Sequence, residues 1–188
     1  MFAMFPTDPG RLEVVAGCMF SGKSEELMSR LTRAAIAQQT VVAFKPSIDD
    51  RYAVEFIESH VGARFPAIPL AEASEALDKV DDANVVGFDE AQFFGNDLLD
   101  VVVTLVGQNK RVIVAGLDMD SSGKPFGMMP ELMARAEMVT KTYAVCMVCG
   151  AAATKSQRMV ADSSTVLVGG ADSYEARCRR HWHPEGVK

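Results

Sequence analysis

Unbroken apolar runs alternate with helix-period segments along the first two-thirds of the chain. LEVVA (12 to 16), TVVAF (40 to 44), NVVGF (84 to 88) and RVIVAG (111 to 116) have strand length, whereas SEELMSRLTRAAIAQ (24 to 38) and LLDVVVTLVG (98 to 107) repeat their apolar positions with the period of a helix. A strand wetted on one face alternates polar with apolar residues, and an unbroken apolar strand is buried on both faces. The pattern therefore predicts an α/β fold, a mostly parallel sheet flanked by helices. In the first helix Leu27, Leu31 and Ala34 share the face expected to pack on the sheet, with Glu25, Arg30 and Arg33 turned away from it.

Two stretches, 46 to 64 and 117 to 130, lack clean periodicity and read as functional loops. After residue 144 the pattern changes to a CxxC, small residues, a short VLVGG strand and a basic segment ending in CRRHWH. The expected organisation is a flexible segment over 1–10, an α/β nucleotide-binding domain over 11–144 and a small second domain over 145–188.

Composition narrows the function. The chain has 188 residues, 48% of them hydrophobic, enough for one domain with a small appendage. A net charge of -6 is the wrong sign for neutralising a phosphate backbone, so no nucleic-acid partner is expected. MFAMFPTDPG has neither the basic start nor the apolar length of a signal peptide, and no stretch approaches a membrane span, which predicts a cytoplasmic protein with no membrane partner. Four cysteines are too few for a disulfide scaffold.

The chemistry enters at Gly17-Cys18-Met19-Phe20-Ser21-Gly22-Lys23-Ser24, which fits GxxxxGK[ST] between an apolar strand and a helix. Glycines let the backbone curl its N–H groups inward, and the helix start adds partial positive charge. Lys23 supplies a cation for the β/γ-phosphates of ATP, and the Ser24 hydroxyl a ligand for Mg²⁺. An acid at the end of a neighbouring strand completes such a site. Asp89 after VVGF is the candidate Mg²⁺ partner, and Glu90 the carboxylate that accepts a proton from an attacking hydroxyl. The bland alternative is a solvated Asp-Glu pair opening a loop. Cys18 reads as a small filler, since only its backbone is needed there.

Cys146-x-x-Cys149 and Cys178-x-x-His181 form two ligand pairs for one tetrahedral ion. Four protein ligands leave no open position, which makes the expected Zn²⁺ structural. His183 is the alternative fourth ligand, and a redox CxxC or simple buried thiols are the rival readings.

Several segments together, GCMFSGKSEEL, IDDRY…SHVG, FDEAQFF, GLDMD…GKPFG, AVCMVCG…TKSQR and VGGADSYEARCRRH, resemble the thymidine kinases of the zinc-containing type from about Leu12 to His183. The resemblance implies a RecA-like P-loop core with a zinc-ribbon-like lasso. It also implies ATP-dependent phosphorylation of the 5′-hydroxyl of thymidine, a homotetramer, and inhibition by dTTP. Position by position, the family's catalytic base falls on Glu90 and its magnesium-associated acid on Asp89. Its thymine-packing aromatic falls on Phe93, its phosphate-side arginine on Arg51, and its apolar base pocket on Met19 and Leu117. Gln92 joins the ATP side. Phe126 and Gly169 join the nucleoside side together with the lasso positions Ser156, Val168 and Tyr174, although core packing is an equal reading of Phe126.

Two positions depart from the pattern. Ser121-Ser122 stand where related bacterial sequences carry an aromatic and an arginine, so one wall near the base is expected to be missing. Cys18 replaces a common proline, with little effect expected. Outside this family, a P-loop ATPase whose zinc knuckle binds single-stranded nucleic acid and a regulatory nucleotide-binding module without turnover are the alternatives.

Overall fold

The structure is a computed structural model that describes residues 10–47, 56–58, 62–160 and 172–184. In chain order the elements are β1 (Arg11–Gly17), α1 (Lys23–Ile36), β2 (Val41–Pro46), β3 (Phe56–Glu58), β4 (Arg64–Pro66) and β5 (Ile68–Leu70). After a 3-10 turn at Ala73–Lys79 come β6 (Val85–Phe88), a second 3-10 turn at Ala91–Phe93, α2 (Asp97–Gly107) and β7 (Arg111–Leu117). The chain continues through α3 (Met129–Arg135), β8 (Met138–Thr142), β9 (Ala144–Val145), β10 (Ala152–Ala153), β11 (Lys155–Arg158) and β12 (Tyr174–Arg177).

Six strands form one sheet in the order β5-β2-β6-β7-β1-β8, and every pairing in it is parallel. Successive residues of a strand face opposite sides, and the core divides accordingly. Val15, Ala43, Val85, Ile113 and Ala115 pack under α1 through Leu27, Met28, Leu31 and Ala34. Val14, Phe44, Val86, Val112 and Val114 pack on the other face against α2 and α3 through Leu98, Val102, Leu105, Met129 and Leu132. Because both faces are covered, the strands carry the continuous apolar runs seen in the sequence.

Two expectations are corrected. Arg30 does not turn away from the core. It is buried, and its guanidinium reaches Glu13 at 3.0 Å, Glu26 at 2.8 Å and the Thr140 hydroxyl at 2.8 Å. Glu13, only 1% exposed, also takes Arg11 at 2.8 Å and Arg111 at 2.6 Å. A long side chain on the flank of a helix can run beneath it, and the buried carboxylate makes that route favourable. The segments read as loops also carry structure. β3 and β4 pair as an antiparallel ribbon, α3 begins at Met129, and Met119 bridges Pro125. Both elements are too short for a period to emerge. The VLVGG strand expectation lies outside the described residues.

The C-terminal segment adds two small antiparallel pairs. β9 pairs with β10, and β11 pairs with β12, with Ser156 opposite Ala176 and Arg158 opposite Tyr174. Cys146, Ala144, Ala153 and Ala176 form a small core together with Cys18, so this module rests directly on the loop after β1.

Candidate functional site

The loop after β1 curls around its own carbonyls. The Cys18 carbonyl accepts from Ser21 Oγ at 2.7 Å and from Lys23 Nζ at 2.8 Å, which draws the ammonium into the curl. Gly22 takes a left-handed conformation, φ 80 and ψ 22, where any side chain would be strained, and α1 starts at the next residue. Ser21 Oγ also lies 2.8 Å from Thr142 Oγ1 at the end of β8, and the Met19 N–H donates to Ser156 Oγ at 3.0 Å. Phe20, at φ 63, lies in the same loop. Cys18 is buried and its thiol donates to the Ala153 carbonyl at 3.3 Å. Burial pushes this thiol up from its ordinary value, as expected of a packed filler.

The acidic strand end is not adjacent to β1, because β7 lies between β1 and β6. The two ends meet because α1 packs on one face of the sheet, against β1, β7 and β6 together, and begins at the strands' C-terminal edge. Ser24 Oγ lies 3.0 and 3.2 Å from the two carboxylate oxygens of Asp89. Asp89 is buried, and its carboxyl is raised to about 7. Burial is the main cause and the neighbouring Glu90 charge the second, opposed by Ser24, the Glu90 N–H and Lys23.

Glu90 sits at φ 49, ψ 40, an uncommon conformation for a residue with a side chain, held by the 3-10 turn that follows it. Its Oε2 accepts from Gln92 Nε2 at 2.5 Å, and Gln92 Oε1 accepts the Leu117 N–H at 2.8 Å. Gln92, expected on the phosphate side, is buried with both ends of its amide committed to Glu90 and Leu117. Phe93 and Phe126 meet edge to face with centroids 5.6 Å apart, both half-buried, and Met19, in the loop after β1, and Leu117, the last residue of β7, are half-buried as well.

Ser156 and Tyr174 are buried on β11 and β12, and Tyr174 Oη accepts from Arg158 at 3.2 Å. Arg51, Val168 and Gly169 lie outside the described residues. Two charged residues went unmarked in the sequence reading. Lys45, next to last in β2, lies near Asp89; burial pushes its ammonium down, against the charges of Asp89 and Glu58. Asp118, buried past the end of β7, pairs with Lys141 at 2.7 Å. Each stands at the C-terminal edge of a parallel strand, where such sheets bind ligands, and that placement was the available signal.

Cys146, Cys149, Cys178 and His181 converge, with one ligand atom from each lying within 4.8 Å of all the others. Sγ of Cys146 is 3.8 Å from His181 Nδ1, Sγ of Cys149 is 3.9 Å from that of Cys178, and Cys178 Sγ is 3.4 Å from His181 Nδ1. Bond lengths near 2.3 Å imply ligand separations of about 3.7 Å around a tetrahedral ion, so the donor set fits zinc. His181, not His183, belongs to the cluster. Burial disfavours the Cys146 thiolate, but N–H groups of Cys178, Val148 and Cys149 and the His181 ring outweigh it and bring the group to about 5, the charge state a metal requires.

The sequence model of the family described as thymidine kinase matches residues 10–182. A thymidine kinase of Coprothermobacter proteolyticus is 50% identical over 186 residues, covering 96% of this chain and 94% of that protein. Among solved structures, the genome packaging NTPase B204 from Sulfolobus turreted icosahedral virus 2, in complex with sulfate, aligns with a TM-score of 0.49 and 11% identity. That alignment covers 73% of this chain and 76% of the other.

Proposed function

The chain belongs to the thymidine kinase family, and from this premise we propose that it transfers the γ-phosphoryl group of ATP to the 5′-hydroxyl of thymidine. The observation that carries the reading is the approach of Ser24 Oγ to within 3.0 Å of Asp89, which sets an anion-binding curl against an acidic strand end. Residues 17–24 hold the triphosphate, Lys23 neutralises its β/γ oxygens, and Ser24 and Asp89 hold the magnesium ion. When bound, that ion offsets charge on the transferring phosphoryl group. Arg51 serves the same phosphates.

Glu90 takes the proton of the attacking hydroxyl. Its left-handed backbone and the Gln92 amide fix the carboxylate on one side, which leaves Oε1 for the substrate. The thymine ring lies between Phe93, Phe126, Met19 and Leu117, under the segment from Ser156 to Tyr174 that includes Val168 and Gly169. The zinc-bound module of 145–188 anchors both ends of that segment on the 11–144 domain. Covering the reacting atoms excludes the water that would otherwise hydrolyse ATP. Feedback by dTTP, a homotetrameric assembly and a cytoplasmic setting belong to the same reading. Among the described residues no helix is long and apolar enough to cross a membrane.

ADP release measured across a panel of deoxynucleosides tests the proposal. Thymidine should give the highest kcat/KM. Deoxyuridine should react more slowly by about 10- to 200-fold, the discrimination one methyl group allows in an apolar pocket. A chain that releases no ADP with any deoxynucleoside would sink it.

A further inference from the structure

The structure assigns Trp182 as a positioning residue that couples the order of the Cys146/Cys149/Cys178/His181 cluster to the Phe93–Phe126 pair, and so sets the affinity for the nucleoside. The inference rests on the reading of that aromatic pair as the thymine pocket. Trp182 follows the candidate metal ligand His181 directly, and its indole N–H donates to the Ser121 carbonyl at 3.2 Å. The ring lies against Gly123, where a Cβ would come within 2.6 Å of the indole and where φ is +80. The tip of the loop between β7 and α3 is therefore shaped to receive this ring.

The loop is stiff enough to transmit that contact. Asp120 Oδ1 accepts from the Ser122 N–H, the Ser122 hydroxyl and the Lys124 N–H, all within 2.9 Å. Met119 bridges Pro125, and the Phe126 N–H donates to the Asp118 carbonyl at 3.2 Å. Phe126 thus leaves the loop in a defined direction, toward Phe93. Lys155 Nζ stands over the indole, 4.9 Å from the ring centroid and 3.1 Å from Met119 Sδ. Gln157 pins the next residue, exchanging bonds of 2.7 and 3.0 Å with the backbone of His183. Ser121 and Ser122 bring no aromatic to this loop; the ring packed against its tip arrives from the metal-binding segment.

Trp182 is the only tryptophan in the chain, so tryptophan emission, excited beyond the absorption of the three tyrosines, reports on this ring alone. Chelation of bound zinc should shift the emission to the red as the indole leaves Ser121 and Gly123. Trp182→Ala should raise the KM for thymidine about fivefold to tenfold, the scale of one hydrogen bond plus ring packing, with kcat and the KM for ATP within twofold. Trp182→Phe keeps a ring and loses the donor, so it should give a smaller rise in a folded, zinc-loaded protein. Gly123→Ala should raise the thymidine KM with Trp182 and zinc both in place. Zinc-loaded Trp182→Phe and Trp182→Ala proteins with wild-type thymidine KM would overturn the inference, as would equal rises in both substrate KM values. Emission unmoved by chelation would overturn it as well. Loss of thymidine-dependent turnover in the wild type would instead remove the kinase reading itself.

Discussion

Gln92 holds Glu90 by one end of its amide and the backbone of β7 by the other. The Leu117 N–H donates to Oε1, which fixes the amide's orientation, and Nε2 then presents its hydrogen to Glu90 Oε2. Replacing Gln92 with Met keeps the length and removes both polar ends. Steady-state kinetics should show kcat lowered by about tenfold with the KM for ATP unchanged, the loss of roughly one charge-assisted hydrogen bond. Melting should fall as well, because the Leu117 N–H is left unpaired at a cost of about 1–3 kcal/mol. Gly116→Ala reaches the same amide from below, since a Cβ there would lie 2.8 Å from Gln92 Oε1 and 2.7 Å from Met129 Sδ. It should reproduce the kcat loss without removing any polar group.

Glu90→Gln removes the proton acceptor and keeps the shape. Turnover should fall by about 10²- to 10⁴-fold, the usual contribution of a positioned base, while ATP binding followed by calorimetry stays within a few-fold. Retention of turnover within severalfold would exclude Glu90 as the base.

Asp89 predicts a pH dependence with a definite sign. Its carboxyl is raised to about 7 in the folded chain, against 3.8 as the ordinary value, so the folded state holds this proton more tightly than the unfolded state. The resulting stability is fully present below about pH 4 and is lost as pH rises through about 7. Asp89→Asn stays neutral throughout. Without magnesium, the melting temperature of the variant should match wild type near pH 4 and exceed it increasingly up to pH 8. A difference independent of pH would show that Asp89 is not raised.

Glu13 predicts the opposite sign at the other end of the sheet. Burial would raise its carboxyl, but the hydrogen bonds and charges of Arg111 and Arg11 outweigh it and hold the group below 4.5. Its stabilisation is present above the unfolded value of 4.5 and is lost as pH falls through the lower folded value. Glu13→Gln leaves Arg30 and Arg111 facing a neutral group. Denaturant unfolding at pH 7 should show a loss of about 3 kcal/mol, near the low end for a broken buried pair because Arg11 and Arg111 keep some water contact. The KM values, measured well below the melting temperature, should not move, since these residues sit at the edge of the sheet opposite the phosphate loop.

The two kinds of information divide along the range of the interactions. Periodicity and local motif are short-range properties, so the strands, α1, α2, the phosphate loop and the two ligand pairs were legible in the residues. β8, with its MVTKT mixture, was not: as the sheet's edge strand it is half-wetted and alternates. Arg30 was misread because helical period assigns a face to its Cα, whereas the destination of its long side chain depends on a carboxylate seventeen residues away.

The amino-acid sequence alone determined an α/β core, the glycine-lined phosphate loop, the Asp89-Glu90 pair and the family. Each of these is written in contiguous residues or in their period. Only the tertiary structure decided that β7 separates β1 from β6, that Gln92 spans from Glu90 to Leu117, and that Trp182 closes on Ser121 and Gly123. These contacts join segments up to one hundred residues apart, and no local propensity encodes them. They exist because burying both faces of one sheet brings distant strand ends to a common edge, where unsatisfied polar groups must find partners.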